Sequence, residues 1–295
     1  MIGTVLGSSV PVRQDRDGGD FAISVNVDVA LFNVSVTDSK GRHVGGLKAS
    51  DFRVLENGQA QEIRLFSAEN APATIGLVMD NSGSMRTKRS DVQRAAISFV
   101  GASNPADELF LVSFNEKVHM GLPQDLPFTS DIGQFQFALT QTTPGGLTAL
   151  YDATAFALEH LKTGTRDRKA LVVLSDGGDN ASRRKLDDLL EISRHSTATV
   201  YTIGIYDEND PDRNPRVLRK IADSSGGRSY FPRTLAHMDE VWRDIADEIR
   251  SQYTIGFIPI KSSRGGSYRT VKITTTQKGK FLNVTTRDGY FIPEN

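Results

Sequence analysis

Hydrophobic and polar residues alternate near both ends of the chain, over residues 21–70 and 251–295. Alternation with a period of two is typical of strands that bury one face. The positions that share a face are Phe32, Val34 and Val36 in the first region, and Val271 and Ile273 in the second. Asn57-Gly58, between two alternating runs, favours a tight hairpin turn. Either half alone would be a small sheet with little core, so we expect residues 21–70 and 251–295 to pair as one discontinuous β domain.

The middle of the chain, residues 71–250, has a different pattern, in which short apolar runs alternate with amphipathic helices. The apolar runs predict strands at Thr74–Met79, Leu109–Phe114, Ala170–Leu174 and Thr199–Ile205. One predicted helix face consists of Val92, Ala95, Ala96, Phe99 and Val100, and a second of Leu147, Leu150, Thr154, Ala157, Leu158 and Leu161. Further helices are predicted at about 183–195, 214–223 and 237–251. Strands that alternate with helices indicate a mostly parallel sheet covered on both faces.

The two patterns together predict the fold class. We expect an α/β fold, with a doubly wound, mostly parallel, Rossmann-like sheet inserted in a small all-β, sandwich-like domain. Residues 1–20 are polar and interrupted by glycines, so they predict a flexible lead-in and lack the apolar core of a signal peptide.

Composition removes several classes of function. The chain has 35 Lys and Arg against 36 Asp and Glu, a formal net charge of −1, which disfavours a dedicated nucleic-acid binder. Residues 261–287 carry seven Lys and Arg and no acid, but such charges more often line the solvated face of a sheet. Cysteine is absent, which excludes thiol catalysis, Cys-bound zinc and disulfides. No run of about 18 apolar residues occurs, so no membrane span is predicted.

The stretch "LVMDNSGSM" (77–85) places three oxygen-bearing side chains, Asp80, Ser82 and Ser84, directly after a buried strand. A second strand ends in the same way at Asp176 in "LSDGGDN", and between them Thr148 lies at the predicted start of a helix. In open parallel sheets, ligands bind beyond the carboxyl ends of the strands, so we expect these side chains to converge. Carboxylates and hydroxyls without Cys or a nearby His indicate a hard cation, Mg²⁺ in the first place, with Mn²⁺ or Ca²⁺ as alternatives.

This set of residues resembles the metal-ion-dependent adhesion site of the von Willebrand factor A domains, which consists of D-x-S-x-S, a distant Thr and a distant Asp. The resemblance implies that Ser82 and Ser84 coordinate the metal directly and that Thr148 does so when a ligand is bound. It implies that Asp80 and Asp176 act partly through water. It also implies that a Glu or Asp side chain of a partner protein fills the open metal position.

The resemblance to the A domain covers residues 71–250, and the flanks extend it. The segment "VSVTDSKGRHVGGLKASDFRVLENGQAQEI" before that region and "TRDGYF" near the end are similar to bacterial proteins called VWFA-related. Proteins of that group are usually exported. We therefore expect a secreted bacterial protein that is extracellular, periplasmic or at the cell surface.

Four further residues are candidates for supporting or surrounding the metal loop: Asn81, Asp179, Asp207 and Asp210. Asp179 would support the loop or cap a helix, and capping is favoured. Asp207 and Asp210 lie in "YDENDPDRN", which would be a second, calcium-like site, an acidic surface that repels anions, or a solvated loop. The turn-forming composition favours the solvated loop.

Three functions compete. The favoured one is a non-enzymatic, divalent-cation-dependent module for protein binding or cell adhesion, with no nucleic-acid partner. The second is a metal-dependent hydrolase of phosphoesters or esters. It is disfavoured because Ser82 stands where an acid/base Asp would be needed and no G-x-S-x-G elbow occurs. The third is a structural component of the cell envelope.

Overall fold

Strands and helices alternate along most of the described chain. The structure of the protein is a computed structural model that describes residues 29–101, 103–141, 144–206, 213–259, 266–277 and 280–292. The strands are β1 (Ala30–Thr37), β2 (Phe52–Glu56), β3 (Gln59–Gln61), β4 (Ile63–Ser67), β5 (Ala73–Asp80), β6 (Glu108–Phe114), β7 (Val118–Met120), β8 (Arg168–Ser175), β9 (Thr199–Gly204), β10 (Ser229–Tyr230), β11 (Tyr253–Phe257), β12 (Tyr268–Gln277), β13 (Lys280–Phe281), β14 (Asn283–Thr285) and β15 (Gly289–Phe291). The α-helices are α1 (Arg89–Gly101), α2 (Ile132–Thr140), α3 (Leu150–Leu161), α4 (Leu186–His195), α5 (Pro215–Asp223) and α6 (Met238–Ser251). Short 3₁₀ turns lie at Ala49–Asp51, Gly83–Met85 and Leu235–His237.

The largest sheet has the strand order β10-β9-β8-β5-β6-β7. Its strands are parallel except for the edge strand β7, which is antiparallel to β6. All eight residues of β5 are buried, because helices cover both faces of the sheet. On one face, α1 packs between α2 and α6, and the rings of Phe99 and Trp242 lie 4.8 Å apart. On the other face α3 packs against α4.

Two antiparallel sheets contain the strands from both ends of the described chain. One has the order β14-β1-β11-β4, and the other β13-β12-β2-β3 with β15 also paired to β12. Their inner faces form a second apolar core, in which the ring of Phe32 stacks on Phe257 at 5.8 Å and meets Tyr290 edge-on at 6.0 Å. The predicted fold class is therefore confirmed: a doubly wound, mostly parallel sheet is inserted between strands of separate antiparallel sheets. The exact domain boundaries stay a prediction.

Buried polar contacts join the parallel sheet to the antiparallel strands. Arg287 donates hydrogen bonds to the carbonyls of Ser196 and Leu31, each at 2.7 Å. The side-chain amide of Asn33 donates to the carbonyl of Lys169 at 3.3 Å. Because these contacts are to main-chain atoms, they depend on backbone position and not on the side chains of the accepting residues.

Most local predictions hold. The five residues of the first predicted helix face are all buried in α1, and the predicted strands of the middle region are β5, β6, β8 and β9. Asn57 and Gly58 form the turn between β2 and β3 with φ of 47° and 82°. The placement of Leu147 on a buried helix face is wrong: its side chain is 52% exposed, because α3 begins three residues later. The helix α2 and the strand β7 were not predicted.

No helix in the described ranges is long and apolar enough to cross a membrane. The lead-in predicted for residues 1–20 lies outside the described residues.

Candidate metal centre

Two carboxylates lie at the same edge of the parallel sheet. Asp80 is the last residue of β5, and Asp176 directly follows β8, the strand that pairs with β5. The chain moves outward from β5 to β6 and β7 on one side, then returns to β8, β9 and β10 on the other. The ends of β5 and β8 are therefore at the point where the strand order reverses, which is the usual ligand crevice of such a sheet.

Hydrogen bonds of Ser82 and Ser84 connect one carboxylate to the other. The backbone N–H of Ser82 donates to Asp80 Oδ1 at 2.8 Å. The hydroxyls of Ser82 and Ser84 are 3.1 Å apart, and Ser84 Oγ donates to Asp176 Oδ2 at 2.6 Å. Either hydroxyl could be the donor in the contact between Ser82 and Ser84. The local fold supports this spacing, since Ser82 is the N-terminal residue flanking the 3₁₀ turn Gly83–Met85.

Thr148 lies beside these hydrogen bonds without taking part in them. It comes two residues before α3, and its backbone N–H donates to Asn180 Oδ1 at 2.8 Å. Its carbonyl accepts from the backbone N–H groups of Asn180 and Ala181. The preceding loop also contacts the serine loop, because Gly83 N–H donates to the Gly146 carbonyl at 3.2 Å. Thr148 is thus tied to the loops that carry the two serines and Asp176.

Burial controls the electrostatics of the site. The side chains of Asp80 and Asp176 are 4% and 1% exposed. Loss of hydration and, to a smaller extent, the charge of Asp176 together raise the pKa of Asp80 to about 6, against hydrogen bonds from Ser82 and Ser175 that lower it. Ser175 donates to Asp80 Oδ2 at 2.7 Å and accepts from Gly177 N–H. This residue was not predicted from the sequence. Its position directly before Asp176 in "LSDGGDN" is the signal that would have found it.

The additional candidates have different surroundings. Asn81 is held through its backbone, whose N–H donates to the Phe114 carbonyl and whose carbonyl accepts from Gly145 N–H. The carboxylate of Asp179 accepts from Tyr151 N–H at 2.9 Å and from Ser182 Oγ at 2.6 Å, so it ties the first turn of α3 to its own loop. Asp207 and Asp210 lie outside the described residues.

The donor set at this edge consists of oxygen atoms. Within the described ranges, no group of three or more His, Cys, Asp or Glu side chains could hold a metal ion. The predicted set has two carboxylates, so a cation here would depend equally on hydroxyl oxygens. Such a set matches Mg²⁺, which prefers oxygen ligands and retains part of its water shell.

Comparisons with known proteins agree with this fold. Residues 75–178 match the family model of the von Willebrand factor type A domain. A solved structure of a von Willebrand factor type A protein from Catenulispora acidiphila is 16% identical, with a TM-score of 0.55, over 91% of this chain and 74% of that one. The von Willebrand factor domain of the type V pilus tip protein Mfa5 from Porphyromonas gingivalis is 14% identical, with a TM-score of 0.52, over 62% of this chain and 96% of that one. A variant of the PilB minor pilin from Streptococcus sanguinis is 10% identical, with a TM-score of 0.52, over 76% of this chain and 88% of that one.

No curated protein matches the chain. The low identities to solved structures bear on the fold alone. Residues 75–178 are thus similar to the von Willebrand factor type A domain, and the solved structures share its fold, in agreement with the resemblance seen in the sequence.

Proposed function

We propose that this protein binds a divalent cation, Mg²⁺ in the first place, and uses it to bind a protein partner. The ligands would be Asp80, Ser82, Ser84, Thr148 and Asp176. The observation that carries the proposal is the set of hydrogen bonds through which Ser82 and Ser84 connect Asp80 to Asp176 at the carboxyl edge of the sheet. Von Willebrand factor A domains are generally non-catalytic modules for adhesion or protein interaction, and many bind a divalent metal.

The electrostatics fit a cation. A buried carboxylate with a raised pKa lacks a compensating positive charge, and a cation between Asp80 and Asp176 would supply one. The hydrogen that Ser84 gives to Asp176 would turn away, leaving both oxygens available as ligands.

The open position would take a carboxylate from an Asp or Glu of the partner. Two carboxylates leave a divalent cation nearly neutral, so a further anion can approach without net repulsion. The chain itself would supply binding, orientation and desolvation, and no catalysis. We extend the proposal to a secreted bacterial protein that works outside the cytoplasm, because two of the similar structures come from pilus proteins.

The first test is the melting temperature in EDTA and across series of Mg²⁺, Mn²⁺ and Ca²⁺, for the wild type and for Asp176→Asn. A metal at about one hundred times its Kd stabilises the folded state by about 2.7 kcal/mol, which corresponds to about 5 °C here. We expect that rise in the wild type and its loss in Asp176→Asn.

The matched control is Asp131→Asn, which removes the same charge. Asp131 is the N-cap of α2, and Asn caps a helix equally well. This variant should keep the full metal response. Absence of any metal response in the wild type at millimolar concentrations, or an equal response in Asp176→Asn, would refute the metal site.

A further inference from the structure

A cavity of about 360 Å³ borders the loop that follows β5. It lies between the edge of the parallel sheet and α2, and Asn81 contributes to its wall. Asn81 stands between the proposed ligands Asp80 and Ser82 in the chain. Any partner that reached the metal would therefore lie next to this opening.

Ser113 lines the cavity, and its hydroxyl is buried there. The residue is 2% exposed, and among the described residues nothing bonds to its Oγ. Alternation along β6 puts Ser113 on the same sheet face as Leu111, which is the face covered by α2. Ala138 of that helix and Gln141, which caps its C-terminus, line the cavity. Buried unpaired hydroxyls are rare in folded proteins, and a ligand that supplies the missing partner is one explanation.

The other lining residues define what would fit. No Asp, Glu, Lys or Arg side chain in the described chain lines the cavity. The polar groups are those of Asn81, Ser113, His119 and Gln141, and Met120 is among the apolar ones. A charged group would lose its hydration without an opposite charge in return, and a wholly apolar group would leave the Ser113 hydroxyl unpaired. The best fit is a neutral side chain with an apolar body and a polar end.

The volume of the cavity further limits which side chains could fill it. Since a water occupies about 30 Å³ in the liquid, the cavity is equivalent to about twelve waters and accepts a large side chain. Tyr and Gln combine that size with an end that both donates and accepts hydrogen bonds.

We propose that this cavity binds a Tyr or Gln side chain that the partner carries close to its metal-binding Asp or Glu. The inference rests on the proposed function and adds a source of selectivity. The partner's carboxylate binds the metal, and Ser113 and Asn81 form hydrogen bonds with the Tyr or Gln side chain next to it. A side chain that lacks a matching polar end would leave buried groups of the cavity unpaired. The cavity should therefore discriminate between partner side chains more strongly than an apolar pocket does.

The test uses peptides selected on this protein. A random peptide library displayed on phage is bound to the full chain in Mg²⁺, and the phage that EDTA releases are sequenced. We expect an Asp or Glu in the released peptides, with Tyr or Gln enriched within a few positions of it. One such peptide is then synthesised, together with its Tyr→Phe or Gln→Met analogue.

Two serine variants separate recognition from stability. Ser113→Ala should weaken binding of the parent peptide about threefold to tenfold, because it removes the hydrogen bond between Ser113 and the Tyr or Gln side chain. Binding of the analogue should not change, because the analogue already lacks that hydrogen bond. Its melting temperature should not fall, because no described residue forms a hydrogen bond with this hydroxyl. The matched control is Ser35→Ala: Ser35 is also a buried serine without a bonded Oγ among the described residues, and it lies in β1, away from the cavity. This variant should bind both peptides as the wild type does.

The outcomes are distinguishable. If EDTA releases acidic peptides but Tyr and Gln are not enriched, or if Ser113→Ala binds as the wild type does, the cavity inference is overturned and the metal-dependent binding stands. If EDTA releases no peptide above background, both are overturned.

Discussion

Arg168 offers the sharpest test of how the parallel sheet is joined to the antiparallel sheets. This residue begins β8 and is 1% exposed. Its guanidinium donates to the main-chain carbonyls of Ala68, Ala71, Ile249, Arg250 and Gln252. These carbonyls lie at both places where the chain passes between the antiparallel strands and the parallel sheet: before β5, and at the C-terminal end of α6 and the residue after it. One side chain therefore holds the two crossings together.

The expected cost of removing this group follows from the contacts. In Arg168→Met the aliphatic stem stays, but the buried carbonyls at the two crossings lose a charged donor. Each hydrogen bond contributes about 1 kcal/mol, and the cost of burying the cation offsets part of the sum. The cost of burying the cation also appears in its pKa, since burial disfavours the charged form and lowers the pKa of Arg168 to about 10. We expect Arg168→Met to lower the free energy of unfolding by about 3–5 kcal/mol, in the range for breaking a buried charged contact.

Arg168→Lys should be intermediate, with a loss of about 2 kcal/mol. The ammonium keeps the charge and three donors, but it is a compact point charge and cannot span both crossings as the planar guanidinium does.

The assay is unfolding in guanidinium chloride, followed by tryptophan fluorescence and by circular dichroism. Trp242 is the single tryptophan of the chain and is buried on α6, so its fluorescence reports the parallel-sheet region. The control is Arg64→Met, because Arg64 pairs with Glu62 at 2.7 Å on the exposed surface and should change stability by less than about 0.5 kcal/mol. If Arg168→Met is no more destabilising than Arg64→Met, water satisfies the carbonyls and the reasoning is wrong.

Two further predictions concern buried positions. Burial raises the pKa of Glu248, and Arg228, 3.3 Å away, offsets this only in part. Because the folded carboxyl holds its proton more tightly than the unfolded one, the stability it contributes is present below the ordinary pKa of 4.5 and is lost as the pH rises through the folded pKa. Glu248→Gln should therefore flatten the fall in melting temperature between about pH 4 and pH 8, and an unchanged slope would contradict this. Gly177 has φ of +88°, and a Cβ there would lie 2.4 Å from the Asn214 carbonyl oxygen. Gly177→Ala should cost about 1–3 kcal/mol and reduce the Mg²⁺-induced rise in melting temperature, since the change is next to Asp176; a variant that melts and responds as the wild type does would show that the loop adapts.

Local structure followed from the sequence where the pattern was long and regular. The buried face of α1 and the turn at Asn57 and Gly58 were predicted, because a 3.6-residue period and an Asn-Gly pair each have one favoured conformation. The helix α2 was missed because its nine residues bury few apolar side chains, while Phe137 is 67% exposed. Leu147 was misplaced because its spacing continues the apolar stripe of α3 beyond the start of the helix.

The sequence by itself determined the fold class, the strand ends that carry Asp80 and Asp176, and the oxygen-rich chemistry of their loops. The tertiary structure alone decided that β5 pairs with β8, and so that the two carboxylates are joined through Ser84. A strand that is buried on both faces is apolar throughout, so its own pattern does not encode which strand lies beside it. The Arg168 contacts and the cavity at Ser113 likewise depend on segments far apart in the chain. Such features arise only when strands and helices pack, because hydrogen bonds and cavities between distant segments are set by that packing and not by local propensity.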